Sequence, residues 1–203
     1  LFCGIGGFHQ ALSKLNAECV LACDIDKYCR QVYFNNYGLQ PEADVTKLDP
    51  DTMPDFDILC GGFPCQSFSN AGKKKTFSDS RGLLFDEIIR IIKVKQPKFM
   101  FLENVKHILK VGNGKVIEYI KNQLDINNYN IQLFIMSPHH YSIPQQRERV
   151  YFICVRKDIY KSNIELSIPK TESIEFENFL DKKEDIDQSY FLKGDVLKAL
   201  NAW

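Results

Sequence analysis

Apolar positions along the chain follow two periods that alternate. Continuous apolar runs rich in β-branched and aromatic residues predict strands at 19–23, 57–60, 98–102, 131–136 and 150–155. Apolar residues spaced three and four positions apart predict helices at 7–15, 27–36, 83–95 and 115–124. This alternation predicts an α/β fold with a doubly wound, mostly parallel sheet. Residues 137–148 carry no convincing helical pattern, so we expect the last two strands to form an antiparallel hairpin at one edge.

The composition changes after Asp158, where Ser, Glu, Asp, Lys and Asn become frequent and acids outnumber bases. We therefore expect one domain over 1–158 and a linker or the start of a second domain over 159–203, too acidic to read a DNA groove. The chain has 203 residues, 44% of them hydrophobic, which is enough for one substantial core. No signal peptide or membrane-spanning run is visible. The seven cysteines show no metal-ligand spacing, and their odd number indicates a reducing, cytosol-like compartment.

Cys65 lies in the sequence GGFPCQSFS, residues 61–69, directly after the apolar run 57–60. An apolar run that stops at two glycines predicts a buried strand that leads into a loop. Open α/β sheets place their chemistry at the carboxyl ends of strands, so this thiol is a candidate nucleophile. Taken alone, a cysteine is more often a small buried hydrophobe.

The first eight residues, LFCGIGGF, predict a glycine-rich turn that is followed by a helix and by an apolar run ending at Asp24. This order is typical of a nucleotide-type site, in which glycines bring the backbone close to a ligand and the acid binds a ribose diol. The dinucleotide fingerprint needs a third glycine where this chain has His9, so an adenosyl ligand fits better than a nicotinamide one. A plain helix-entry loop is the alternative.

Two further predicted strands carry charged residues at one end. Glu103 follows the run 98–102, where a carboxyl beside a pocket can act as a proton donor. Arg147 and Arg149 alternate ahead of the run 150–155, so both side chains are predicted on one face, suited to phosphate or carboxylate binding. Taken singly, each is more often a solvated residue, the arginines paired with Glu148.

Together, these segments resemble the cytosine-5 DNA methyltransferase family in identity, order and spacing. FCGIGGF (2–8) is similar to the family's cofactor loop, GFPCQ (62–66) to its nucleophile loop, ENV (103–105) to its acid motif and QQRER (145–149) to its arginine motif. The resemblance extends from the first residue to about Asp158. It implies a Rossmann-like fold, S-adenosylmethionine as cofactor, double-stranded DNA as partner and a monomer that needs neither metal nor membrane. It also implies DNA methylation, as in a restriction-modification system, and a cytoplasmic protein that is nucleoid-associated if the host is bacterial.

The resemblance assigns a role to each candidate catalytic residue. Cys65 would add as a thiolate to carbon 6 of cytosine, which makes carbon 5 nucleophilic enough to accept a methyl group. Glu103 would donate a hydrogen bond or proton at ring nitrogen 3, and Arg147 and Arg149 would hold the nucleotide and support the charge of the adduct. The target base must leave the DNA stack, and the lysine-rich stretch 66–81 is expected to close over the phosphate backbone.

The resemblance also assigns the cofactor contacts. Asp24 would bind the ribose hydroxyls, although the family commonly has the longer Glu there. The remaining contacts would surround the adenine, the ribose and the methionine part of the cofactor. They are Phe2, Gly4, Gly6, Gly7, Ile25, Asp44, Val45, Pro64 and Leu84. Simple core packing is the alternative for Ile25, Val45 and Leu84.

Three other functions stay open at this point: a relative that methylates transfer RNA, a truncated non-catalytic nucleic-acid-binding relative, and a nicotinamide dehydrogenase. The retained Cys65, Glu103 and Arg147 argue against the second, and the PCQ sequence argues against the third. The chain shows no counterpart of the family's target-recognition domain, and it opens inside the expected first strand. With a formal net charge of zero, residues 1–203 alone are expected to bind DNA weakly and to methylate poorly.

Overall fold

The structure is a computed structural model in which residues 1–64, 84–167, 176–192, 194, 196 and 198 are described. The helices in this part of the chain are α1 (Gly7–Ser13), α2 (Lys27–Tyr37), α3 (Leu84–Lys95) and α4 (Lys115–Ile126). The strands are β1 (Ile58–Gly62), β2 (Phe99–Val105), β3 (Tyr129–Met136) and β4 (Arg149–Arg156). Short 3-10 helices cover Val45–Lys47, Lys106–Leu109, Val111–Gly114, Pro138–Tyr141, Phe176–Phe179, Lys183–Asp185 and Gln188–Tyr190.

The four strands form one sheet in the order β1-β2-β4-β3. β1 pairs with β2 in parallel, and β4 pairs antiparallel with both β2 and β3. The parallel pair is joined through α3, whereas β3 and β4 form the antiparallel edge hairpin that the sequence predicted. The α/β fold class is thereby confirmed.

The strand predicted at 19–23 is wrong in extent, because only Cys23 takes part in β pairing, through a single parallel bridge to Glu42. Within the described part of the chain, backbone hydrogen bonds to other segments occur near this end of the run. The Cys23 carbonyl accepts from the Cys3 amide at 3.0 Å, and the Ala22 carbonyl accepts from the Glu42 amide at 2.8 Å. A β-strand needs hydrogen-bonded backbone partners along its whole length, and an apolar sequence pattern does not show whether such partners are present.

The core lies between the sheet and its helices. α3 has a wide apolar face and contributes five buried residues, of which Ile88, Ile91 and Ile92 are fully buried. They pack with Met100 and Leu102, alternate residues of β2 whose side chains share one face of the sheet. The helices therefore hold β2 in a fixed position, and β2 carries the acid motif at its end.

Two compact units divide the chain. One comprises Leu1–Ser137 with Arg147–Ser167 and contains the whole sheet. The other comprises Pro138–Gln146 with Ile168–Trp203, and its described residues include short 3-10 helices. The domain boundary expected after Asp158 stays a prediction. Among the described helices, none is both long and apolar enough to cross a membrane.

Candidate active site

The carboxyl ends of β1 and β2 place Gly62 next to Glu103. The two residues are partners in the last rung of the parallel ladder. A Cβ on Gly62 would lie 3.3 Å from Oε2 of Glu103, so the acid lies directly over this glycine. Cys65 follows Gly62 by three residues in sequence, but it lies outside the described residues, as does the whole of the expected lid at 66–81.

Glu103 forms an ion pair with Arg149. Nε of Arg149 lies 2.7 Å from Oε1 of Glu103, and the side chains are 16% and 26% exposed, respectively. The antiparallel register of β2 and β4 explains the contact. Arg149 pairs with Val105, and Glu103 lies two residues away on the same face, within reach of a long side chain. The structure thus joins two of the sequence-predicted catalytic residues.

Arg147 lies differently from Arg149. β4 begins at Arg149, so Arg147 precedes the strand, and it is exposed. Its backbone amide donates to Oγ of Ser137 at 2.9 Å. Glu148, between the two arginines, pairs with Lys106 at 2.7 Å. That both arginines serve one site stays a prediction.

The glycine-rich turn is bound to Asp24. Oδ2 of Asp24 accepts the Gly4 amide at 2.7 Å, and Oδ1 accepts the Asp26 amide at 2.9 Å. Gly4 has φ +53° and Gly6 has φ +102°, the left-handed region in which glycine is favoured. The predicted turn and its acid are therefore one local structure. A carboxylate oxygen has two lone pairs, so Asp24 retains acceptor capacity for a ribose hydroxyl.

The other candidate cofactor residues lie in two kinds of environment. Ile25 is exposed, whereas Val45 is buried in the core. Asp44 caps the short helix Val45–Lys47, and hydrogen bonds from Thr46 lower the pKa of its carboxyl. Side chains that are partly buried and pack against the core belong to Phe2 and Leu84. Pro64 is half-buried, and nothing lies within 4 Å of a Cβ built on Gly7.

The described cysteines near these segments are poorly suited to nucleophilic attack. Burial raises the pKa of Cys3, Cys23 and Cys60 to about 11 in each case. The thiolate is the reactive form, so these three are overwhelmingly protonated near neutrality. Cys3 and Cys60 also line a cavity of 440 Å³ that includes none of the predicted catalytic residues. No group of three potential metal ligands occurs within the described part of the chain.

Two polar side chains at the site were not singled out from the sequence. Asn104 and Ser137 are both 2% exposed, and each hydrogen-bonds the backbone of a motif segment. Asn104 stands in the ENV sequence, but a motif alone does not say which way its side chain points. A polar residue next to a strand end is the only sequence signal for either one.

The fold is that of the Rossmann-like methyltransferases. A Dnmt2 structure from Spodoptera frugiperda matches 100% of this chain and 64% of that chain, with a TM-score of 0.76 at 24% identity. The Dnmt2 methyltransferase of S. pombe matches with a TM-score of 0.74 at 23% identity. At such identities the likeness concerns the fold alone.

The sequence relationships are narrower. The family model for C-5 cytosine-specific DNA methylase matches residues 1–199, and the chain belongs to that family. It is 46% identical over 169 residues to the type II methyltransferase M.HhaI of Haemophilus parahaemolyticus, matching 83% of this chain and 52% of that protein. It is 41% identical over 170 residues to M.SsoII of Shigella sonnei, matching 83% of this chain and 45% of that protein. The chain thus spans about half the length of these curated relatives.

Proposed function

We propose that the natural protein transfers a methyl group from S-adenosylmethionine to carbon 5 of a cytosine in double-stranded DNA, with Cys65 as the covalent nucleophile. The observation that carries the proposal is the Glu103–Arg149 ion pair, with a distance of 2.7 Å. It lies next to Gly62, the residue that precedes Cys65 by three positions in the sequence. Family membership supports the reaction type. Because about half of the relatives' length has no counterpart in this chain, the substrate is part of the proposal.

The residues of the glycine turn fit an adenosyl cofactor. A Cβ on Gly4 or Gly7 would meet nothing within 4 Å, so the backbone there is open to a ligand. Asp24 would bind the ribose hydroxyls, and the exposed Ile25 would lie against the adenine. When bound, S-adenosylmethionine supplies an electrophilic methyl group.

The chain's own residues prepare the base for this transfer. The Cys65 thiolate forms a bond to carbon 6, and the electron pair of the ring moves toward nitrogen 3 and carbon 5. For this step Glu103 must carry a proton on Oε2, the oxygen that does not face Arg149, and it donates that proton or a hydrogen bond to nitrogen 3, which stabilises the developing negative charge. After carbon 5 has been methylated, water takes the carbon 5 proton, the double bond between carbons 5 and 6 re-forms, Cys65 leaves as a thiolate, and nitrogen 3 returns its proton to Glu103.

Arg149 has two functions in this proposal. Its guanidinium holds the Glu103 carboxyl through Oε1, which leaves Oε2 on the side of Gly62. Its positive charge also stabilises the anionic adduct, as a fixed cation does in a site from which water is excluded. Arg147, which is exposed, is available to the nucleotide phosphate.

The base has to be turned out of the duplex before Cys65 can reach carbon 6, at a cost of roughly a few kcal/mol. We propose that the lysine-rich stretch 66–81 binds the phosphate backbone of the DNA around the extruded nucleotide, and that base-specific contacts come from outside residues 1–158. The formal net charge of residues 1–203 is zero, whereas strong binding to the DNA backbone requires an excess of Lys and Arg. This charge is consistent with further DNA contacts outside residues 1–158.

The test is covalent trapping by the natural full-length protein. Duplex DNA that contains 5-fluorocytosine, with the cofactor present, should form a stable adduct that maps to Cys65, since fluorine at carbon 5 prevents release. The Cys65→Ser variant should form none, whereas the matched variant Cys60→Ser should trap DNA like the wild type. Methyl transfer to transfer RNA but not to duplex DNA would favour the RNA-modifying alternative, and absence of any adduct would refute the mechanism.

A further inference from the structure

Asn104 and Ser137 are the two buried polar side chains among the described residues. A buried polar group needs a hydrogen-bond partner, and its choice of partner indicates what it holds in place. Each of these side chains bonds the main chain of a motif segment that is distant in sequence. Nδ2 of Asn104 donates to the Phe63 carbonyl at 2.8 Å, and Oγ of Ser137 accepts the Arg147 amide at 2.9 Å.

The side chain of Asn104 adds one hydrogen bond between the two chain segments just beyond the last backbone pair of β1 and β2. Backbone pairing of β1 with β2 ends at Gly62 and Glu103, and the next residues on the two strands are Phe63 and Asn104. The amide of Asn104 is satisfied at both ends, because its Oδ1 accepts the Val105 amide at 2.8 Å. Its orientation is therefore fixed, and it fixes the carbonyl of Phe63 in turn.

Phe63 is also held through its ring. The ring is buried between Phe85 of α3 and Phe152 of β4, with centroid distances of 5.4 and 6.0 Å. The residue that follows it is Pro64, which restricts the backbone of Phe63 to extended conformations. The chain thus leaves β1 in one direction, set by Asn104 and by the aromatic contacts, two residues before Cys65.

Ser137 acts on the second motif segment. It follows β3 directly, and Arg147 stands two residues before the start of β4. The bond between them joins the two ends of the connection over residues 138–146. Arg149, which binds Glu103, is only two residues beyond this point, so the same bond fixes where its strand begins.

We propose that Asn104 and Ser137 are positioning residues for methyl transfer, which hold the backbone of the nucleophile and arginine segments relative to Glu103. This inference rests on the proposed function, because it assumes that Cys65 is the nucleophile. A purely structural role would require only that the two polar groups be satisfied. Both are instead bonded to the backbone within two residues of a proposed catalytic side chain.

The inference is tested in the full-length protein by the rate of adduct formation with fluorocytosine DNA, at saturating DNA and cofactor. Asn104→Ala and Ser137→Ala should slow that rate roughly 10- to 100-fold, because small misplacements of reacting groups cost that much, with DNA affinity unchanged. Ser137→Thr, which keeps the hydroxyl, should restore the rate. Leu124→Ala removes a fully buried side chain of α4 and should lower the melting temperature while the adduct rate of the folded protein is retained.

The outcomes separate the two proposals. A wild type that forms no adduct overturns the proposed function and this inference with it. If the wild type forms the adduct and both alanine variants form it at the wild-type rate, this inference alone is overturned. The same holds if the adduct rate of the variants falls only in proportion to the fraction of protein that is folded. If Asn104→Ala does not fold, Asn104→Ser, which keeps a polar side chain, replaces it. The adduct rates of Ser137→Ala and Ser137→Thr then test the inference independently of Asn104.

Discussion

Replacing Gly62 with alanine tests whether the Glu103 carboxyl must lie where the structure places it. The added Cβ would stand 3.3 Å from Oε2 of Glu103, closer than ordinary van der Waals contact, so the carboxyl must move by a few tenths of an ångström. It cannot move freely, because its other oxygen is 2.7 Å from Nε of Arg149. The substitution therefore shifts the acid without removing it.

The magnitudes differ for folding and for catalysis. Gly62 does not have a left-handed φ, so alanine should gain about 0.5–1 kcal/mol of backbone entropy in the strand. The contact at the carboxyl offsets that gain, which leaves stability within about 1 kcal/mol of the wild type. If a misplacement of about 1 Å costs roughly 100-fold, a few tenths of an ångström cost about three- to tenfold in adduct rate.

The assay combines thermal unfolding with single-turnover trapping of fluorocytosine DNA. Gly61→Ala is the matched control, since a Cβ there would lie 3.2 Å from the Leu1 carbonyl and does not contact Glu103. We expect that control to lose stability and to keep its adduct rate at saturating cofactor. A Gly62→Ala protein that is folded and traps DNA at the wild-type rate would refute the role given to the Glu103 position.

Three further outcomes follow from other contacts. Gly6→Ala should cost about 1–3 kcal/mol in urea unfolding, because φ is +102° and the new Cβ would lie 2.2 Å from the Tyr37 ring; an unchanged unfolding midpoint would contradict this. Tyr119→Phe removes a 2.6 Å hydrogen bond to Asp86, whose pKa is raised by burial and lowered by that bond. In the Tyr119→Phe variant the pKa of Asp86 in the folded state should therefore rise further above 3.8. The variant should be less stable than the wild type by the largest amount near neutrality, and the difference should shrink as the pH falls toward 3.8. A difference in stability that does not depend on pH would contradict this. Burial raises the pKa of the Cys154 thiol, so mass spectrometry should find it alkylated only under unfolding conditions, and rapid labelling of the native protein would contradict its burial.

The helices and most strands could be predicted from apolar periodicity because their packing faces are continuous. α2 extends one residue beyond the predicted helix at 27–36 and ends at Tyr37, where Gly38, with a φ of +69°, provides a left-handed cap. The run at 19–23 failed because strand formation depends on partners along the whole run. Only Cys23 forms a bridge, and periodicity carries no information about partners.

The candidate residues could be singled out from the sequence, but the contacts between them could not. Short motifs identified Glu103 and Arg149 separately, yet nothing in the sequence indicated that they bind each other across 46 positions of chain. The contact depends on the register between β2 and β4, which is set by packing of the whole sheet. For the same reason Asn104 and Ser137 were missed, because their partners are backbone groups at distant positions.

The sheet topology explains why an acid at the end of one strand meets an arginine at the start of another. β2 is parallel to β1 and antiparallel to β4, so its carboxyl end lies beside both the carboxyl end of β1 and the amino end of β4. The end of β1 at Gly62, the acid at Glu103 and the arginine at Arg149 therefore lie at the same end of these strands. If β4 were parallel to β2, Arg149 would lie at the amino end of β2, a strand's length from Glu103. Among the described strands, the antiparallel pairing of β2 with β4 thus brings Glu103 and Arg149 together beside the end of β1.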